Sequence, residues 1–252
     1  DAARVGYEVV INSDEETGSL SSSGLIAQAA RSKLAALTYE PALADGTLAG
    51  ARGGTGNFSL VVRGRAAHAG RNPHEGRNAV VATADLAVRL AAADIPSLTV
   101  NPARIDGGGP NNVVPDLAVL RVNFRPQSAA AIEAAASLID ELAADTRERH
   151  DVQIDIHGSF NRPPKPLDAG AERLFACVAD TGARLGQSIA WKATGGVCDG
   201  NNIAACGVPV VDTMGARGGA IHSPDEYLVI DSLAERAALS ALVIARIAEG
   251  RW

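Results

Sequence analysis

The chain has 252 residues, 46% of them hydrophobic and 21% charged, with a formal net charge of −6. That length allows one large domain or two smaller ones around a sizeable core, in the composition of an ordinary globular protein. The acidic balance, with no Lys/Arg-rich run, argues against nucleic acid or an anionic membrane surface as the main partner, and no apolar stretch approaches the roughly 18 residues of a membrane span.

The sequence starts without Met or a signal-like segment and enters an apolar run at once, as a piece of a longer chain would. Val5–Ile11 reads as a buried strand, Ser21–Ser32 as a helix and Leu34–Tyr39 as a second apolar strand. Continuous apolar strands alternating with helices point to a parallel α/β sheet. The Gly-rich run Asp45–Gly56 reads as a hinge. The texture then changes. Asn57–His68, Ser97–Gly108, Asp116–Pro126 and Asp151–Phe160 alternate as half-exposed strands, and Gly76–Asp94 and Ser128–His150 read as helices. The order β-α-β-β-α-β implies a small antiparallel sheet with two helices on one face, whose edge invites a second copy. The α/β texture returns with a helix at Ala169–Leu185, a strand at Val208–Asp212 and a helix at Asp231–Ala248. The expected organisation is therefore an α/β domain in two parts, residues 1–52 and 164–252, interrupted by an inserted α+β domain at 53–163. The three cysteines, Cys177, Cys198 and Cys206, form no CxxC pair and read as reduced, small buried residues.

The strand read at Val5–Ile11 runs into Asp14, Glu15 and Glu16, and Glu40 follows the next strand. Open α/β sheets bind their ligands at the carboxyl ends of strands. Adjacent carboxylates repel, and a bound divalent cation is the strongest compensator. A solvated acidic turn that caps the next helix is the plainer alternative. His222, in a Gly-rich loop after the Val208–Asp212 strand, would suit a zinc site beside these acids, although a lone loop histidine is more often a surface residue.

With "NSDEETGS", "YEP", "GRAAHAG", "NNVVP", "NFRP", "TGGVCD" and "AIHSPDEY" in this order over nearly the whole chain, the sequence resembles the M20 metallopeptidases, and within them the carboxypeptidase G2 branch. The resemblance implies a zinc-exopeptidase-like catalytic domain interrupted by an inserted dimerisation domain, a homodimer formed through that insertion, and two zinc ions per full-length subunit. It assigns Glu15 as general acid/base, Glu16 and His222 as ligands of one zinc and Glu40 as a ligand of the other. His68, Asn112 and Arg125 take the family's positions for the substrate carboxylate and the oxyanion. Arg162 and the Gly195–Gly196 turn resemble further substrate contacts. The implied reaction is cleavage of an amide bond next to a free carboxylate in a small peptide, by a metal-activated water with a Glu base. Deacylation of an N-acyl amino acid is the close rival. The family's early His-x-Asp motif and its bridging Asp have no counterpart before Asp14, so this segment alone is expected to be inactive, with incomplete metal sites. A non-catalytic dimer with vestigial acids is the reading of another class; an unligated Glu15 kept beside a ligand argues against it. A cytoplasmic location is expected, with a periplasmic one left open.

Overall fold

A computed structural model describes residues 5–252; residues 1–4, at the start of the first expected domain segment, lie outside the described residues. The chain divides into two compact units, one comprising the segments up to Gly53 and Pro164–Trp252, the other Gly54–Pro163.

The first segment holds α1 (Ser23–Ala30), β1 (Ala36–Leu37), β2 (Ala42–Leu43) and β3 (Leu48–Arg52). The second unit holds β4 (Thr55–Arg63), α2 (Ala79–Ala91), β5 (Leu98–Gly107), β6 (Leu117–Pro126), α3 (Ala129–His150) and β7 (Gln153–Arg162). The last segment adds α4 (Ala169–Arg184), β8 (Trp191–Thr194), α5 (Asp199–Ala204), β9 (Val210–Val211), β10 (Arg217–Gly219), β11 (Tyr227–Leu228) and α6 (Ser232–Ala248).

Gly54–Pro163 follows the expected β-α-β-β-α-β order. Its four strands form one antiparallel sheet in the order β5-β6-β4-β7. Leu60, Val62, Ala118, Leu120, Val122 and Phe124 point to one face and are buried there, as period-two alternation requires. Against them packs the stripe Ala79, Ala82, Leu86 and Leu90 of α2, together with Ala135, Ile139 and Ala143 of α3. Each helix starts on a side-chain cap: the Asn78 carbonyl oxygen accepts from Val81 N–H at 3.0 Å, and the Ser128 hydroxyl from Ala131 N–H at 3.1 Å. Phe58, Phe124 and Phe160 close one end of this core edge to face, with centroids 5.1–5.9 Å apart. Pro102 is tolerated within β5 because that strand is an edge, and the register shifts beside it.

The other unit is built from short parallel pairs, β1 with β9, β2 with β10 and β3 with β8, and β11 adds antiparallel to β10. Its core gathers Leu48, Leu174, Phe175, Val178, Val211, Met214, Leu239 and Val243. Because β1 and β9 run the same way, the segments leaving them emerge at one end. Met214 N–H donates to Thr38 O, and Gly215 N–H to Glu40 O, both at 3.0 Å. A Cβ at Gly215 would lie 2.7 Å from the Glu40 oxygen, so only glycine permits this approach.

Several expectations are corrected. Val5–Ile11 forms no strand, and Tyr7, Val9 and Ile11 are 79%, 73% and 90% exposed. An extended apolar run becomes a strand only where a neighbour supplies its ladder, and among the described residues none does. For the same reason Leu34–Tyr39 and Val208–Asp212 shrink to Ala36–Leu37 and Val210–Val211. The expected hinge Asp45–Gly56 is largely strand: β3 ends at Arg52 and β4 begins at Thr55. No helix among the described residues is long and apolar enough to cross a membrane.

Candidate active site

Asp14 organises the acid-bearing turn. Its carboxylate accepts from Ser21 N–H (2.9 Å), Ser22 N–H (3.2 Å) and the Ser22 hydroxyl (2.6 Å). The Ser22 hydroxyl is the main reason its carboxyl is held below the ordinary aspartate range. Glu15–Thr17 then make a 3-10 turn that ends at Gly18, whose φ of 95° is the left-handed conformation suited to glycine. The fully buried Ser19 follows, also left-handed at φ 53°. Glu15 is half-buried and Glu16 exposed.

Glu40, past the carboxyl end of β1, is half-buried, and its carboxyl is raised above the ordinary range. Burial is the largest cause, followed by the charge of Glu15; Glu16 and Asp199 add to the rise, and Arg52 opposes it. The structure therefore brings Glu15, Glu16 and Asp199 within electrostatic reach of Glu40. His222 lies in an exposed loop at φ 64°, its backbone N–H donating to Glu226 Oε2 at 3.2 Å. Among the described residues no three or more His, Cys, Asp or Glu side chains are arranged to hold a metal ion. Glu16, Glu40 and His222 thus do not by themselves make a metal centre, which needs three or four donors.

Beside the acids lies a buried ionic cluster that no sequence motif signals. Arg52, at the end of β3, grips Asp212 with two parallel bonds, Nε to Oδ2 at 2.8 Å and Nη2 to Oδ1 at 2.9 Å. Lys165 Nζ sits 3.0 Å from the same Asp212 Oδ2 and 5.6 Å from the centroid of the Phe175 ring. The Arg52, Lys165 and Asp212 side chains are 7%, 2% and 0% exposed. Burial works against the Arg52 charge, but the Asp212 hydrogen bond and nearby negative charge hold the guanidinium above its ordinary value. The third Arg52 nitrogen, Nη1, donates to Gly196 O at 2.9 Å. This fixes the Gly195–Gly196 turn between β8 and α5, where both glycines are exposed. The Cys198 thiol, buried 3.7 Å from Asp212 Oδ2, is pushed up to about 12, mainly by burial and then by the Asp212 charge. It is an inert helix cap, accepting from Gly200 N–H at 3.3 Å.

In the Gly54–Pro163 unit the four candidates fall into two groups. His68 bridges Val113, and Ala69 N–H donates to Asn112 O at 2.9 Å, so His68 and Asn112 lie side by side. His68 is exposed, and its Nδ1 accepts from Gly70 N–H at 3.1 Å, which places the proton of the neutral ring on Nε2. Arg125 lies opposite Thr99 with its Nε donating to Asn123 Oδ1 at 2.7 Å, and Asn123 Nδ2 donates to Thr55 Oγ1 at 3.0 Å. The buried Arg162 lies opposite Thr55. Arg125 and Arg162 thus sit at the start of β4, whereas His68 follows its end. The nine residues of β4 put about 30 Å between the groups.

An antiparallel sheet carrying two helices thus interrupts, along the chain, an α/β unit that bears the clustered acids. Residues 50–151 match the M20 peptidase dimerisation domain. Carboxypeptidase G2 of Pseudomonas sp. (strain RS-16) is 28% identical over 251 residues, 96% of this chain and 60% of that protein. Succinyl-diaminopimelate desuccinylase of Verminephrobacter eiseniae is 26% identical over 245 residues, 91% of this chain and 59% of that enzyme. The fold is shared with aminopeptidase PepT of Bacillus cereus (TM-score 0.75, 21% identity, 93% of this chain and 62% of that one). It is shared as well with the YXEP protein of Bacillus subtilis, described as a dinuclear metal-binding peptidase of the M20 family (TM-score 0.66, 19% identity, 89% of this chain and 63% of that one). The M20 peptidase dimerisation domain is thus matched largely within the inserted unit, and the chain spans about 60% of the length of the curated relatives named above.

Proposed function

We propose that the protein is a zinc-dependent hydrolase that cleaves an amide bond next to a free carboxylate, as a carboxypeptidase-type exopeptidase. The observation that carries the reading is the convergence of Glu15 and Glu16 on Glu40, which lies past the carboxyl end of β1 and whose carboxyl is raised by burial and then by the charge of Glu15. Glu15 takes the proton of the attacking water and returns it to the leaving nitrogen. Glu16, Glu40 and His222 are the donors this chain would bring to metal. Divided between two ions they leave both short, so further donors come from elsewhere in the full-length protein. His68 Nε2–H stabilises the oxyanion, Asn112 supports it, and Arg125 holds the substrate carboxylate with two parallel bonds. Arg162 in the inserted unit and the Gly195–Gly196 turn in the other are the remaining candidate substrate contacts.

The protein acts as a homodimer. The roughly 30 Å between His68 and Arg125 exceeds the reach of a small substrate within one copy, which favours the partner's His68 completing each site. The β5 edge suits self-association: Val81, Val88 and Ile105 are 53%, 68% and 46% exposed along α2 and β5. At the other edge α3 exposes Glu133, Asp140, Glu141 and Glu148, acids that would oppose the same face of a second copy. The desuccinylases among the relatives favour N-acyl amino acid deacylation as the second reading.

The deciding test is turnover of the full-length protein with added Zn²⁺, against peptides with a C-terminal glutamate and a panel of N-acyl amino acids. Glu15→Gln is the control. Turnover on one class that is lost in the variant supports the reading; undiminished turnover in Glu15→Gln removes Glu15 from its role. Absence of turnover and of bound metal near neutral pH favours a non-catalytic dimer.

A further inference from the structure

We propose that Asp199 is a positioning residue that sets the attitude of Glu15 and Glu16 by clamping both ends of the turn that carries them. The idea rests on the reading above, in which Glu15 moves the proton. Asp199 Oδ2 accepts from Asn12 Nδ2 at 2.8 Å, and Oδ1 accepts from the Ser19 hydroxyl at 2.5 Å. Asn12 and Ser19 are the residues on either side of the segment that contains Asp14, Glu15, Glu16, Thr17 and Gly18.

The clamp is closed inside the turn as well. Asn12 Nδ2 also donates to Ser22 Oγ at 3.0 Å, and that hydroxyl donates to Asp14 Oδ1 at 2.6 Å. Ser19 is fully buried at φ 53°, a conformation a serine holds only where its surroundings impose it. The anchor is itself rigid. Asp199 opens α5, whose cap is reciprocal: Cys198 N–H donates to Asn201 Oδ1 at 3.1 Å and Cys198 Sγ accepts from Gly200 N–H at 3.3 Å, while Asn201 Nδ2 ties the helix to Gly53 O at 2.9 Å.

The chemistry calls for a carboxylate. Two donors, an amide N–H and a hydroxyl, converge on position 199 from opposite sides, and only a group with two acceptor oxygens satisfies both without reorienting its partners. An asparagine there turns an N–H toward one of them. The carboxylate also adds a fourth negative charge beside Glu15, Glu16 and Glu40. Its placement is therefore electrostatically unfavourable for the acids and is accounted for by the geometry it imposes.

The experiment is steady-state kinetics of the full-length protein carrying Asp199→Asn, Asn12→Ala, Ser19→Ala and the pairs of each alanine variant with Asp199→Asn, with Glu15→Gln alongside. Thermal unfolding and bound-metal content are read on every variant. A proton-transfer group displaced by about 1 Å loses about 100-fold in rate. At saturating Zn²⁺, Asp199→Asn is expected to lose about that factor in kcat with KM little changed, and to retain metal less tightly because Glu16 rides on the same turn. Each alanine variant, losing one arm of the clamp, falls less, and the pairs fall no further than Asp199→Asn alone, because all act through one device. Asn12→Ala and Ser19→Ala leave the carboxylate in place, so the idea stays testable if Asp199→Asn does not fold. Full kcat in Asp199→Asn while Glu15→Gln is dead overturns the clamp and leaves the hydrolase reading standing. Losses in kcat that multiply in the pairs, or activity lost only in proportion to the fraction of protein unfolded, also overturn it. Full turnover in Glu15→Gln overturns the hydrolase reading itself.

Discussion

Asp212→Asn removes the only negative charge in a buried cluster that holds two positive ones. Arg52 and Lys165 then lose the carboxylate they share, at side-chain exposures of 7% and 2%, and Glu40 acts on Arg52 only from a distance. Breaking a buried pair from one side costs about 3–5 kcal/mol, because the remaining ion is neither hydrated nor compensated. At about 2–4 °C per kcal/mol for a chain of this size, the unfolding midpoint should drop by about 6–20 °C. Lys165→Met is the opposite case. It leaves Arg52 and Asp212 balanced one to one, keeps the side-chain volume over Phe175 and removes a buried charge, so its effect should be near zero or stabilising. The double variant Lys165→Met/Asp212→Asn should recover part of the Asp212→Asn loss. Both tryptophans, Trp191 and Trp252, lie in the unit that contains the cluster, so denaturant unfolding followed by tryptophan fluorescence reports on that unit. An Asp212→Asn loss under about 1 kcal/mol, or a Lys165→Met loss as large as that of Asp212→Asn, would refute the charge argument.

Three further outcomes are expected. Val88→Glu or Ile105→Lys should convert the homodimer proposed above to monomer in sedimentation, while a charge change at Glu141 on α3 should leave it intact. Gly158, at φ +127° within β7, would bring an added Cβ to 2.1 Å from Asn57 O, so Gly158→Ala should cost about 1–3 kcal/mol in the stability of the inserted unit. Arg246 holds the Asp180 carboxyl below its ordinary value of 3.8, so the contribution of this pair is present above pH 3.8 and is lost as pH falls through the lower folded value. The difference in unfolding midpoint between wild type and Asp180→Asn should accordingly be visible at pH 7 and disappear once Asp180 is protonated in both folded and unfolded states.

Elements that carry their own local signals were legible in the sequence. α2 shows its apolar stripe and its Asn78 cap, α3 its Ser128 cap, and β4 and β6 the alternation that buries Leu60, Val62, Leu120 and Val122. Val5–Ile11 was not legible, because apolar composition reports what a segment would bury and not whether a partner strand is there to pair with it. In the site, the position of Glu15, Glu16 and Glu40 after apolar runs was enough to group them. The Arg52–Asp212–Lys165 cluster was invisible, since its members come from three distant places in the chain: the end of β3, the backbone bridge from Arg52 to Lys165, and the residue after β9. Asp199 was hidden for a related reason: its two hydrogen bonds reach back 187 and 180 residues.

The pairing of Thr55 with Arg162 means that the Gly54–Pro163 unit starts and finishes at neighbouring points on adjacent strands. A module whose ends coincide can be spliced into a surface turn, or cut out and rejoined by a short linker, with little loop-closure entropy to overcome. The geometry makes the unit a cassette, free to change its self-association surface without disturbing the route of the chain that hosts it.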